Sequence, residues 1–105
     1  MTQYCLYEVV GSTFTLHGIA DTIGEVMTRG TWLVHARAID KDYLYDDALS
    51  VATGGWRIQG EHEWALVIPA GFEYMADRQY IILDVPLELR EQTNWPQPYF
   101  RGVPA

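Results

Sequence analysis

At 105 residues and 12.0 kDa, with 49% hydrophobic and 20% charged side chains, the chain has the size and composition of one folded domain rather than of a disordered segment. Seven basic residues against 14 acidic ones leave a formal charge of −7, which repels a phosphate backbone or an anionic membrane and argues against both as partners. Cys5 is the only cysteine, so no intramolecular disulfide can form, and neither a signal peptide nor a membrane span is expected from the apolar pattern.

In chain order, Tyr4-Cys5-Leu6-Tyr7-Glu8-Val9-Val10 is rich in aromatic and β-branched residues, and Thr13-Phe14-Thr15-Leu16-His17 resumes a two-residue alternation after Gly11-Ser12. Glycine at the first of two central turn positions predicts a hairpin closed by a type II′ turn. Cys5 reads as a buried, reduced thiol in the first strand. Gly18 to Gly30 fits either a short helix or an irregular strand, with Thr22-Ile23-Gly24-Glu25 as a capping box. From Thr31 to Ile39, Trp32, Val34, Ala36 and Ala38 alternate with Thr31, Leu33, His35, Arg37 and Ile39, which predicts a strand with one buried face and Trp32 in the core.

Asp40 to Asp47 reads as an acidic loop, and Ala48 to Ala52 as a short strand, with a helical turn as the alternative because Leu44, Ala48 and Val51 recur at helical spacing. Trp56 to Gln59 and Trp64 to Ile68, joined by Gly60-Glu61-His62-Glu63, predict a second hairpin, ended by Pro69-Ala70-Gly71. Phe72 to Asp77 bridges as one helical turn to Tyr80-Ile81-Ile82-Leu83-Asp84-Val85, whose nearly continuous apolar character predicts a central strand covered on both faces. Pro86 marks a bulge or exit. Prolines at 96, 98 and 104 exclude a helix at the end of the chain, and residues 93–105 read as a short edge strand or an extended contact arm, the arm preferred. The whole reads as one domain, residues 1–105, of mainly β class: a small sandwich or barrel of about six to eight antiparallel strands, with at most one or two short helical turns.

Few residue patterns carry chemistry. His17, His35 and His62 lack the short spacing of a first pair of zinc ligands, and each reads as a hydrogen-bonded or surface histidine. Asp40, Asp42, Asp46 and Asp47 suggest a calcium loop, but counting from Asp40 the fifth and sixth positions are Leu44 and Tyr45 where an EF-hand needs an oxygen ligand and glycine. Gly54-Gly55 lacks the lysine of a phosphate loop, and no Gly-x-Ser-x-Gly elbow occurs. No catalytic residue, metal or cofactor is therefore assigned. Aromatic content stands out instead: of four tryptophans, Trp32 and Trp64 read as core, whereas Trp95, Tyr99 and Phe100, among prolines, read as interface residues.

Arg29-Gly30-Thr31-Trp32, Ala65-Leu66-Val67-Ile68-Pro69-Ala70, Arg78 to Val85 and Phe100-Arg101-Gly102-Val103 together resemble the small β-sandwich domains of tailed-phage virion proteins, of the kind found at the N-terminus of baseplate upper proteins. The resemblance begins at Gly30, covers about two thirds of the chain and implies a virion subunit. The expected function is accordingly a non-enzymatic structural or interaction module, working through protein partners as a homo-oligomer or in a larger assembly, located in the virion or otherwise in the cytoplasm. The alternative is a small acidic regulator that occupies a basic groove of a partner protein. A ligand-binding or catalytic barrel, with a pocket lined by Trp or Tyr, stands third.

Overall fold

A computed structural model describes residues 2–42, 44–53, 55–60, 62–67 and 78–85. Strands β1 (Tyr4–Val10) and β2 (Thr13–Ala20) are followed by helices α1 (Ile23–Asp40) and α2 (Tyr45–Ala52), then by strands β3 (Trp56–Gly60), β4 (Glu63–Leu66) and β5 (Arg78–Leu83). The five strands make one antiparallel sheet in the order β2-β1-β5-β4-β3. Among the described residues the sheet is not closed and carries two helices, so the expected small β-rich domain is present as a mixture of strands and helices that is not clearly a sandwich or barrel.

The first hairpin forms as its turn chemistry requires. Gly11 takes a φ of 60°, the value demanded of the first central residue of a type II′ turn, and Val10 pairs with Thr13 across it. Four residues beyond Thr13, His17 is inserted between the pairs Tyr7–Leu16 and Leu6–Gly18, giving β2 a bulge. The second hairpin, β3 with β4, also forms, and His62 adopts a φ of 57° in its turn.

The segment read as a strand over 31–39 is the second half of an 18-residue helix. Its buried residues are Val26, Gly30, Val34, His35 and Ala38, a four-residue period that the two-residue alternation of 32, 34, 36 and 38 had imitated; Trp32 and Ala36 lie exposed. The helix starts where the capping box predicted: the Thr22 hydroxyl accepts from the Glu25 N–H at 3.3 Å. It stops without glycine, since Lys41 N–H donates to Ala38 and Arg37 carbonyls and Asp42 takes a φ of 65°, a left-handed value that aspartate tolerates. Residues 45–52 are helical, as the alternative reading of that stretch had it, with Asp46 and Asp47 at the positive end of the helix dipole.

β5 lies between β1 and β4, so the expectation of a central strand is met, and Ile82 is wholly buried. On one face of the sheet, Leu6, Ala20 and Ile82 meet Val26 of α1, while Leu66 and Tyr80 meet Val34, Ala38, Ala48, Val51 and Ala52 of the two helices. On the other face Cys5, Tyr7, Val9, Ala65, Ile81 and Leu83 form a second buried cluster. The helical layer sits close to the sheet because residue 30 has no side chain: a Cβ there would lie 2.5 Å from Cζ2 of Trp56 and 3.2 Å from Cδ1 of Leu6. The expected bulge at Pro86, the helical turn at 72–77 and the arm at 93–105 fall outside the described residues.

Candidate functional site

Two constellations gather the side chains that carry charge or aromatic surface. The first centres on Glu8. Alternation along β1 turns this residue to the helical face, where it is only 4% exposed. An isolated carboxylate there would cost several kcal/mol, so it must be paired. Arg37 of α1 reaches it through Nε at 3.0 Å from Oε2 and through Nη2 at 3.3 Å from Oε1. The Tyr80 hydroxyl of β5 donates to Oε2 at 3.0 Å, and Arg78 Nη1 lies 3.3 Å from the same oxygen. His17, projecting from the bulge of β2, places Nε2 3.1 Å from Oε1; a carboxylate only accepts, so that nitrogen carries the proton.

Burial alone would raise the Glu8 pKa, but hydrogen bonds from Arg37 and Tyr80, with the charges of Arg37 and Arg78, outweigh it and hold the carboxyl below its ordinary 4.5. The Tyr80 phenol is pushed far above its usual range, by burial first and by the Glu8 charge second. The pair is therefore fixed as carboxylate and phenol throughout the physiological range. With three donors on Oε2 and two on Oε1, the lone pairs are fully used, and Glu8 has no acceptor capacity left for a substrate proton. What the cluster does is tie β1, β2, β5 and α1 together.

The second constellation is on the outer side of the helices. Trp32, His35 and Ile39 recur along α1 at helical spacing, beside Leu44, Tyr45 and Leu49 at the start of α2. The His35 ring packs edge-on against both aromatic neighbours, with centroids 5.8 Å from Trp32 and 4.8 Å from Tyr45. His35 is 8% exposed and its Nε2 has no hydrogen-bond partner among the described residues. Its two aromatic neighbours are the opposite: Trp32 and Tyr45 are each 59% exposed and Leu44 is 74% exposed. Asp40, Asp42, Asp46 and Asp47 are all exposed around this surface.

Of the histidines, His17 is hydrogen-bonded as read, His62 Nδ1 lies 2.6 Å from Oδ2 of Asp84, and His35 departs from the expectation because it is buried with a vacant ring nitrogen. Cys5 is buried, as read. Trp64 packs into the sheet–helix core, but Trp32 does not, because it belongs to the outer side of a helix and not to the inner face of a strand. The interface candidates Trp95, Tyr99 and Phe100 lie outside the described residues. Among the described residues no group of three His, Cys, Asp or Glu side chains is placed to hold a metal ion, and no helix is long and apolar enough to cross a membrane. Compared with protein-family models, with curated proteins and with solved structures, the chain matches none of them.

Proposed function

We propose that the protein is a non-enzymatic interaction module that engages a basic, partly apolar protein surface through the outer side of its helical layer. The observation that carries this reading is the pair Trp32 and Tyr45, each more than half exposed and held apart by the buried His35 ring. A folded domain gains nothing in stability from leaving large aromatic rings in water, whereas tryptophan and tyrosine supply the largest share of binding energy at protein interfaces. His35 is a second sign, since a buried ring nitrogen without a partner costs stability that a contacting group can recover.

Charge selects the partner. Residues 40–47 bring four exposed or flanking carboxylates against Lys41, and Arg37 is committed to Glu8, so the rim of the aromatic surface is negative and complements arginine or lysine. The saturated Glu8 cluster supports the non-enzymatic part of the proposal, because the Glu8 carboxylate and the Tyr80 phenol are each held in one protonation state instead of being poised for proton transfer. A virion subunit is the form of this reading that the strand resemblance suggests, and a regulator of a basic groove is the form that the acidic rim suggests.

Calorimetric titration with a peptide of alternating arginine and leucine, and with its glutamate–leucine counterpart, tests the proposal. The arginine peptide should bind, weaken as salt rises, and lose at least tenfold in affinity with the double variant Trp32→Ala/Tyr45→Ala. Equal binding of the two peptides, or a double variant that binds like the natural chain, would contradict it.

A further inference from the structure

Among the described residues β2 and β3 are the two edge strands of the sheet, and they are protected to different degrees. Strand β3 is five residues long, has an irregular register against β4 and carries the exposed Arg57 as its second residue, all features that discourage another strand from adding to it. Strand β2 is eight residues long, and no Asp, Glu, Lys, Arg or Pro occurs anywhere from Thr13 to Ala20. In a chain of net charge −7 this uncharged edge is a place where two copies can approach. Its far end is partly closed by the bulge at His17 and by Arg29, whose Nη1 donates to the Ile19 carbonyl at 3.5 Å. The stretch Thr13 to Leu16 has neither device.

From this we infer that the protein forms a two-fold dimer by antiparallel pairing of β2 with β2 of a second copy, joining two five-stranded sheets into one. The register follows from the turn. Val10 and Thr13 close a two-residue hairpin loop and are therefore a hydrogen-bonded pair, so Thr13 and Thr15 direct their main-chain groups to β1 while Phe14 and Leu16 direct theirs outward. A two-fold axis at Thr15 sets Phe14 of each copy opposite Leu16 of the other. Both residues present outward groups, so the arrangement forms about four main-chain hydrogen bonds and leaves none of those groups misaligned. It also brings together Leu16, 47% exposed, and the flank of Phe14, whose ring already packs edge-on against Tyr7 at 6.3 Å. The occupant is a second copy because an identical edge supplies the complementary order of donors and acceptors without adding charge.

Hydrogen exchange on the full chain at about 10 µM and about 1 mM, together with sedimentation over the same range, tests the inference directly. The amides of Phe14 and Leu16 should slow by roughly tenfold where about 90% of the chain is dimeric, while those of Thr13 and Thr15 stay protected at both concentrations. Raising salt should strengthen the dimer, since it screens repulsion between two chains of like charge, the reverse of its effect on a basic peptide at the helices. Leu16→Pro removes only an outward N–H, and Leu16→Lys places like charges at the contact; each should give a folded monomer, while Trp32→Ala/Tyr45→Ala should dimerise normally. A chain that stays monomeric at 1 mM with unchanged exchange at Phe14 and Leu16, or a dimer that survives Leu16→Lys, would overturn the inference.

Discussion

Glu8, which faces α1, and His35, which belongs to it, are both buried polar side chains, and they are treated in opposite ways. Glu8 receives donors from four other residues on three elements and ends fully satisfied, with the two cationic groups that balance it only about one-third exposed. His35 lies between two rings, its Nε2 unmatched, in the middle of exposed aromatic surface. Polar groups that serve the fold are matched within it, because an unmatched one costs about 1–3 kcal/mol. On the proposed reading, a buried group left unmatched beside exposed aromatic rings marks where a partner would sit. The contrast separates a constellation that holds the domain together from one that faces outward.

Substitutions can sharpen that separation. The largest loss is expected at the core common to both regions: Ile82→Asp buries an unpaired carboxylate in the central strand, costs several kcal/mol against a total of about 5–15, and should leave no folded protein by circular dichroism. Glu8→Gln leaves Arg37 and Arg78 without their counter-charge and should cost about 2–4 kcal/mol in a denaturant titration, moderated because both guanidinium groups can turn partly to water. The same variant should alter the pH dependence. With its folded pKa below 4.5, Glu8 contributes stability that is complete above that value and is lost as pH falls through the folded value. Tyr80 acts at the other end: its pKa is raised above 10.0, so its contribution is complete below that value and lost as pH rises further. Thermal melts of the natural chain should therefore fall on both sides, and Glu8→Gln should flatten the acid side.

Gly30→Ala comes next. The alanine gains about 1 kcal/mol of helix propensity, but its Cβ meets Trp56 at 2.5 Å, so the ring or the helix must shift and the net effect should be a loss of about 1–2 kcal/mol. The smallest effect on stability belongs to the outer surface: Trp32→Ala and Tyr45→Ala should each change stability by no more than about 0.5 kcal/mol, since both rings are already largely in water. A loss of more than 2 kcal/mol at Tyr45 would show that its contact with His35 supports the fold, and the contrast would collapse.

Features set by neighbouring residues were legible in the sequence. Gly11 specified its turn, Thr22 with Glu25 specified the start of α1, and the apolar run at 80–85 specified a central strand. The strand expected over 31–39 failed because valine at 34 and alanine at 36 and 38 satisfy alternation as easily as helical spacing over so short a window. The helix is visible only when the reading starts at Thr22 and finds Val26, Gly30, Val34 and Ala38 four residues apart with no proline between. That misreading turned Trp32 inward and hid the aromatic surface. The Glu8 cluster was hidden for another reason: its partners at 17, 37, 78 and 80 come together only through the sheet order and the helix crossing. One signal was present, a lone charge within the apolar run Tyr4 to Val10, which a half-buried strand can hold only with a partner.

The outward role of the helical layer is tested most directly by mapping backbone amide chemical shifts while the arginine–leucine peptide is titrated into the full chain. The account predicts that the shifts concentrate within residues 32–49, include His35, and vanish in Trp32→Ala/Tyr45→Ala. Shifts spread evenly over the acidic surface, or centred on Glu8 and its partners with residues 32–49 unmoved, would contradict it.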